Sequence, residues 1–165
     1  EMGFTPKFLG RPGAYRFWGT LDGNGKRRRS RFGVTEDYTA MGAGISFDQE
    51  VSDGVGLFFR LGYRDTHNTA YTTRTSWSLG TQLTVGNIIK ERPNDIIGLA
   101  YSQISPTDRD FGKNSTEEQF VEAYYNWYLT DNFQISGILQ YIDGRNGSKT
   151  LDDVTLFGAR VQANF

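Results

Sequence analysis

One histidine, one dense run of cations and a scatter of charges at alternate positions are the groups in these 165 residues that could do chemistry. His67 has Asp65 and Ser76 nearby in sequence, the residue types of a base, an orienter and a nucleophile. Nothing in their spacing sets them in those roles, so His67 reads as a loop residue and the chain is expected not to be an enzyme, with no catalytic residue assigned. The absence of cysteine and the single histidine remove disulfides, thiolate nucleophiles and most metal sites, and no cofactor is implied. The run Lys26-Arg27-Arg28-Arg29-Ser30-Arg31 has the composition of a phosphate-binding patch. A net charge of −1 supplies no overall field toward nucleic acid, so no nucleic-acid partner is expected. Asn114-Ser115-Thr116 and Asn146-Gly147-Ser148 fit the glycosylation sequon, which matters only in a eukaryotic secretory chain.

The elements that position the remaining charges are strands. The chain holds 20 glycines, 12 phenylalanines, 9 tyrosines and 3 tryptophans against 4 prolines, a mixture suited to strands and tight turns. Period-2 alternation predicts about eight strands, near residues 13–21, 38–50, 55–65, 74–85, 96–105, 118–129, 133–143 and 153–165. In the third, Val55, Leu57, Phe59, Leu61 and Tyr63 share one face, and Gly56, Arg60, Gly62 and Arg64 the other. In the fourth, Trp77, Leu79, Thr81, Leu83 and Val85 oppose Ser76, Ser78, Gly80, Gln82 and Thr84. The sixth sets Val121, Ala123, Tyr125, Trp127 and Leu129 against Glu122, Tyr124, Asn126 and Tyr128, and the last sets Phe157, Ala159, Val161, Ala163 and Phe165 against Arg160, Gln162 and Asn164.

No apolar run approaches the ~18 to 20 residues of a spanning helix. A mean hydropathy of −0.53 leaves a membrane barrel open, because half of each barrel strand is polar. Connections alternate in length. Ser52-Asp53-Gly54 and Thr130-Asp131-Asn132 are tight turns and residues 86–95 a somewhat longer linker, whereas 22–37, 66–73, 106–117 and 144–152 are longer and polar. Short inner turns and long outer loops in this alternation predict one transmembrane barrel domain over residues 1–165, in a bacterial outer membrane. Tyr63, Tyr101, Tyr125, Trp127 and Tyr141 fall near strand ends on the apolar face, as girdle residues do. A terminal strand ending in Phe165 is similar to the signature read by the outer-membrane assembly machinery. A soluble β-sandwich, whose apolar face would turn inward, shares the alternation. No signal peptide is visible at Glu1, so the chain is expected to be processed or not whole.

The run Gly44-Ile45-Ser46-Phe47-Asp48-Gln49-Glu50-Val51-Ser52-Asp53-Gly54-Val55-Gly56-Leu57-Phe58 resembles the strand-turn-strand of the carbohydrate-selective porin family. Ser76-Trp77-Ser78-Leu79-Gly80, Asp95-Ile96-Ile97-Gly98-Leu99-Ala100-Tyr101, Glu122-Ala123-Tyr124-Tyr125-Asn126-Trp127 and Leu139-Gln140-Tyr141-Ile142 follow in the family's order, so the resemblance covers residues 13–165. It implies an all-β, antiparallel, sixteen-stranded barrel of which this chain supplies the C-terminal half. The family's inward-folded constriction loop belongs to the other half, so the residues that narrow the pore are not assignable here.

In such a barrel the polar faces line water, and a sugar is held there by charge-assisted hydrogen bonds and ring stacking. Arg60, Arg64, Glu122, Tyr124, Asn126, Arg160 and Gln162 are the candidate lumen residues, with mutual pairing as the competing role. Asp48 and Glu50, on one face with Ser46, are expected to solvate the mouth at the tight-turn end. The basic run, placed in the first outer loop, is a candidate contact for lipopolysaccharide phosphates or a lure for anionic solutes, with a solvated loop as the competing role. Expected partners are thus outer-membrane lipid and lipopolysaccharide, small sugars as solutes, the assembly machinery and further copies of the chain. Small inward residues at Gly44, Gly56, Gly62, Ser78 and Gly80 suit either a wide open bore for passive diffusion of small carbohydrates or a complete eight-stranded barrel with a packed lumen that serves adhesion or envelope structure.

Overall fold

The computed structural model describes residues 1–28, 35–65, 73–106 and 116–164, with backbone alone for 24–28 and 35–38. His67, the end of the basic run and Phe165 lie outside the described residues. Ten strands follow one another: β1 (Met2–Phe4), β2 (Lys7–Phe8), β3 (Arg11–Arg28), β4 (Thr35–Ser52), β5 (Val55–Arg64), β6 (Thr73–Thr84), β7 (Ile96–Pro106), β8 (Glu118–Thr130), β9 (Phe133–Asp143) and β10 (Val154–Ala163). All are antiparallel in one sheet of order β1-β3-β4-β5-β6-β7-β8-β9-β10, with β2 also on β3. The path is an open meander. A closed eight-stranded barrel would pair its first and last strands, and no such ladder joins the described ones.

The eight expected strands are present, and the chain departs from expectation at its start. β1 and β2 form an additional arm that turns into β3 through Leu9 (φ 52) and Gly10 (φ 79), two left-handed residues that make a tight hairpin. Residues 22–37 were expected as loop, yet Gly25 to Arg28 pair with Tyr38 to Thr35 beyond a bulge at Asp22. That stretch carries charges on both faces, so apolar alternation gives no sign of a strand.

Register sorts the side chains into two surfaces. The pairing chain Phe17–Ile45–Leu61–Trp77 and the chain Phe59–Leu79–Tyr101–Val121–Tyr141 lie on one face, and Arg16–Ser46–Arg60–Ser78–Ser102 on the other. The apolar face has no protein against it: Leu79, Leu99 and Leu139 are 47%, 52% and 43% exposed. Among the described residues, Ala40 and Val85 are the only buried apolar side chains. A sandwich would have covered this face with a second sheet, and among the described residues there is none.

The tight connections share one edge of the sheet. Gly54 (φ 68) closes the β4–β5 turn, Thr84 N–H donates to Gly54 O (2.7 Å), and Asn87 reaches Asp53 O. Asn164 N–H donates to Asn132 O (2.9 Å), which places the end of β10 at the same edge. The 85–95 linker, between β6 and β7, is pinned by Asp95. Its carboxylate accepts from Arg92 Nε and Nη2 (2.6 and 2.9 Å), from Tyr128 N–H (2.9 Å) and from the Tyr125 hydroxyl, while Arg92 lies 5.2 Å from the Trp127 ring centroid. Burial pushes Asp95 upward, but the hydrogen bonds from Tyr125, Tyr128 and Arg92 outweigh it and hold the carboxyl below its ordinary value.

Asp95 thus adds stability that is complete above the ordinary carboxylate range and is lost as pH falls through its depressed folded value. Asp95→Ala, which strands a hydroxyl and an N–H, is expected to cost about 2 kcal/mol. In Asp95→Asn the thermal midpoint should depend less on pH between neutrality and strong acid than in the parent. Equal acid sensitivity of the two proteins would remove Asp95 as the titrating group.

Candidate functional site: the polar face

The candidate residues divide into two groups separated by a strip of small side chains. On β3–β5, Arg16 Nη1 and Arg60 Nη2 donate to the two oxygens of Asp48, at 3.1 and 2.9 Å. Arg60 also lies 4.6 Å from the centroid of the Phe58 ring. All three charged groups are between a third and a half exposed, so the pairs add little stability. Their effect is local: one carboxylate compensates one of two guanidinium charges and holds Arg60 in place. Arg64 stands further along β5, in register with Gly42. Asp48 was expected to solvate the mouth and instead bridges the arginines, whereas Glu50 faces Arg11 at 3.3 Å near the tight-turn edge.

On β8–β10, Glu122 accepts from Gln140, and Tyr124 donates to Gln82 Oε1 at 3.4 Å across two intervening ladders. Asn126 is in register with Ser136, and Ser136 with Arg160. The Asn126 Oδ1 and the Ser136 hydroxyl are buried with no hydrogen-bond partner among the described residues. Gln162 accepts from Gln134 (2.9 Å) and donates to Asn164 (3.2 Å), a ladder that supports the wall. Arg60 and Arg64 therefore share β5, four residues apart, and lie on a different part of the sheet from Glu122, Tyr124, Asn126, Arg160 and Gln162.

Between the groups, β6 and β7 present Ser76, Ser78, Gly80, Gly98, Ala100 and Ser102. Aromatic rings lie down on the glycines. A Cβ on Gly44 would stand 2.3 Å from Trp18 ring atoms, one on Gly80 2.4 Å from Phe58 Cε1, and one on Gly98 2.1 Å from Tyr124 Cε1. Trp18, Phe58, Arg16 and Gln140 are polar-face residues that the sequence reading did not select. Trp18 carried a usable signal, since it alternates with Arg16 and Thr20 on the side opposite Phe17 and Leu21.

Tyr63, Tyr125, Trp127 and Tyr141 are exposed on the apolar face, and Tyr101 is half-buried there at mid-strand rather than near an end. Three of their hydroxyls donate to side chains nearby: Tyr101 to Gln103 and Gln119 (3.2 and 3.1 Å), Tyr125 to Asp95, Tyr141 to Asp153 (2.8 Å). Ser76 faces Gly62 and Ile104 on the polar side, with no nucleophile–base pair formed among the described residues. Among those residues, too, no three carboxylate, imidazole or thiol groups converge on a point that a metal ion could occupy.

One face apolar and uncovered, the other polar and charged, and connections alternately tight and long define the wall of a β-barrel porin. The family model described as carbohydrate-selective porin, OprB family, matches residues 19–165, and the chain belongs to that family. The solved structure titled "High pH structure of Pseudomonas putida OprB" superposes with a TM-score of 0.84 at 19% identity, over 99% of this chain and 47% of that chain. The chain thus spans about half the length of that structure and has the fold of half its barrel. None of the curated proteins compared with the chain matches it.

Asp48→Asn would leave Arg16 and Arg60 without their shared counter-charge while changing little in shape. In planar bilayers under a KCl gradient, the whole protein carrying this change should shift its zero-current potential toward anion preference. An unchanged potential would mean that this cluster does not face the conducting water.

Proposed function

We propose that this chain forms one half of the wall of a water-filled outer-membrane channel through which small carbohydrates diffuse passively, without catalysis. The carrying observation is the division of the sheet into an uncovered apolar face and a polar face of arginine, carboxylate, amide and serine groups, in a chain of a carbohydrate-selective porin family. A passive channel selects by width and by hydrogen bonding along its lining, and these side chains offer both donors and acceptors to hydroxyl groups. Nothing in that chemistry calls for a cofactor.

The apolar face would meet lipid, with Tyr63, Tyr125, Trp127 and Tyr141 toward the two interfaces, where a ring buried in acyl chains keeps its hydroxyl or N–H at polar groups, and Tyr101 at mid-strand between them. The hairpin of β3 and β4 runs past the end of β5, whose last partner is Gly42, and carries Lys26, Arg27 and Arg28 on the side away from the tight turns. That placement supports contact with the phosphates of lipopolysaccharide. In register, Lys26 pairs with Asp37 and Arg27 with Glu36. Recognition of the Phe165 terminus by the assembly machinery and association with further copies complete the set of proposed partners.

The test is proteoliposome swelling with the full-length protein that contains this sequence, preceded by fractionation of inner and outer membranes. The protein is expected in the outer-membrane fraction, with swelling in glucose faster than in a disaccharide and faster in either than in empty liposomes. Recovery in a soluble fraction, or swelling no faster than that of empty liposomes in every sugar, would overturn the proposal.

A further inference from the structure

We propose that the recess beside Trp18 is a docking site for a single neutral hexose on the channel wall; this rests on the sugar-channel reading above and assigns a place within it. Of the three tryptophans, Trp77 and Trp127 lie on the apolar face, in register with Leu61 and Ile135. Trp18 alone is on the polar face, in register with Gly44. Its ring occupies the space a Gly44 side chain would fill, with Cε2 and Cζ2 2.3 Å and Nε1 2.6 Å from that Cβ position, and it extends to 3.6 Å from the Cβ position of Gly62. The indole therefore lies along the wall instead of standing into the bore. It is half-buried.

Beside the ring is an open recess of about 400 Å³, within the range of small-molecule sites, whose lining includes Trp18, Arg60, Ser46, Ser78, Ser102 and the apolar Ile104. These groups match the two halves of a hexose. A pyranose presents C–H bonds on its faces and hydroxyls around its edge, so an aromatic surface takes the first while serine hydroxyls and a guanidinium take the second. Arg60 enters the recess already held by Asp48 (2.9 Å) and by the Phe58 ring, so little rotamer freedom remains to be lost on binding. Asp48 compensates one of the two guanidinium charges of the cluster, which lowers its pull on a phosphate or sugar acid and leaves Arg60 as a donor to hydroxyls. The small residues of β6 give the solute room to lie against the sheet.

The site predicts a direct optical signal. In full-length protein with Trp77→Phe and Trp127→Phe, and with any tryptophans outside this segment also replaced by Phe, Trp18 is the sole indole. D-glucose is expected to change its emission saturably, while glycerol at equal osmolality gives only a small linear drift. Trp18→Leu in the otherwise native protein should raise the half-saturating glucose concentration for flux by about fivefold, the size of one aromatic stacking contact. Gly44→Ala, which drives the ring off the wall, should do the same without deleting it. If glucose enters liposomes through the parent protein while Trp18 emission is unresponsive and both variants keep the parental half-saturation, the docking site is overturned and the channel reading stands. If the parent passes no sugar, the channel reading fails. A saturable Trp18 response in that case still establishes the site, and an unresponsive indole removes both.

Discussion

Every strand in this chain depends on its neighbour for its backbone hydrogen bonds. In a hydrocarbon surrounding no water can pair an exposed N–H or C=O, so a spanning strand must have partners on both sides. Meander topology meets this for β4 through β9 with ladders nine or more pairs long, broken only by bulges near the rims. It also explains why the side chains need no common core. Once the ladders hold the sheet, each face is free to match its own surroundings, which is how a wall with only Ala40 and Val85 as buried apolar side chains can be stable. The open flank at β10 and the part of β3 beyond β1 carry the same requirement, and the half-length match to the OprB barrel is the form in which further strands would meet it.

The tight-turn edge carries a second kind of constraint. Short turns fix the register of each hairpin, and register decides which face a residue joins, because a slip by one residue exchanges the faces. The polar contacts of this edge therefore do more than cap strand ends. Asp95 reaches from the 85–95 linker to Tyr125 and Tyr128 on β8, and Arg11 at the start of β3 reaches Glu50 and Asp53 across the β4–β5 turn. Each ties a turn to a strand other than its own hairpin partner, so errors in one hairpin's register would be felt by the next.

What the sequence made legible was what alternation encodes. Leu57 to Tyr63 and Trp77 to Val85 announce their faces without help, and the eight central strands and their turns follow. Where alternation falls silent the reading failed: Met2 to Phe8 is too short to show a period, and Asp22 to Arg28 is polar on both sides. The site was legible as a list of residues facing water and not as a set of partners. Arg60 and Arg160 look alike in their strands, yet Arg60 shares Asp48 with Arg16 while Arg160 stands opposite Ser136, five strands away. Those relations follow from register summed over several hairpins, a quantity no single strand carries.

The small residues on the polar face were the one feature compatible with opposite lumens, packed or open, and ring placement bears on the choice. A packed lumen would be filled by large side chains standing away from the wall into the middle of the barrel. Here Trp18, Phe58 and Tyr124 lie on Gly44, Gly80 and Gly98 of adjoining strands, so each bulky ring becomes a thin lining. Gly56 on the same face has nothing within 4 Å of where a Cβ would be. Glycine weakens a strand by leaving backbone unshielded and adding freedom in the unfolded chain, and a ring laid across it restores some of the lost packing. That compensation is needed only where the wall must be thin, and it sets the aromatic surface along the sheet instead of across it.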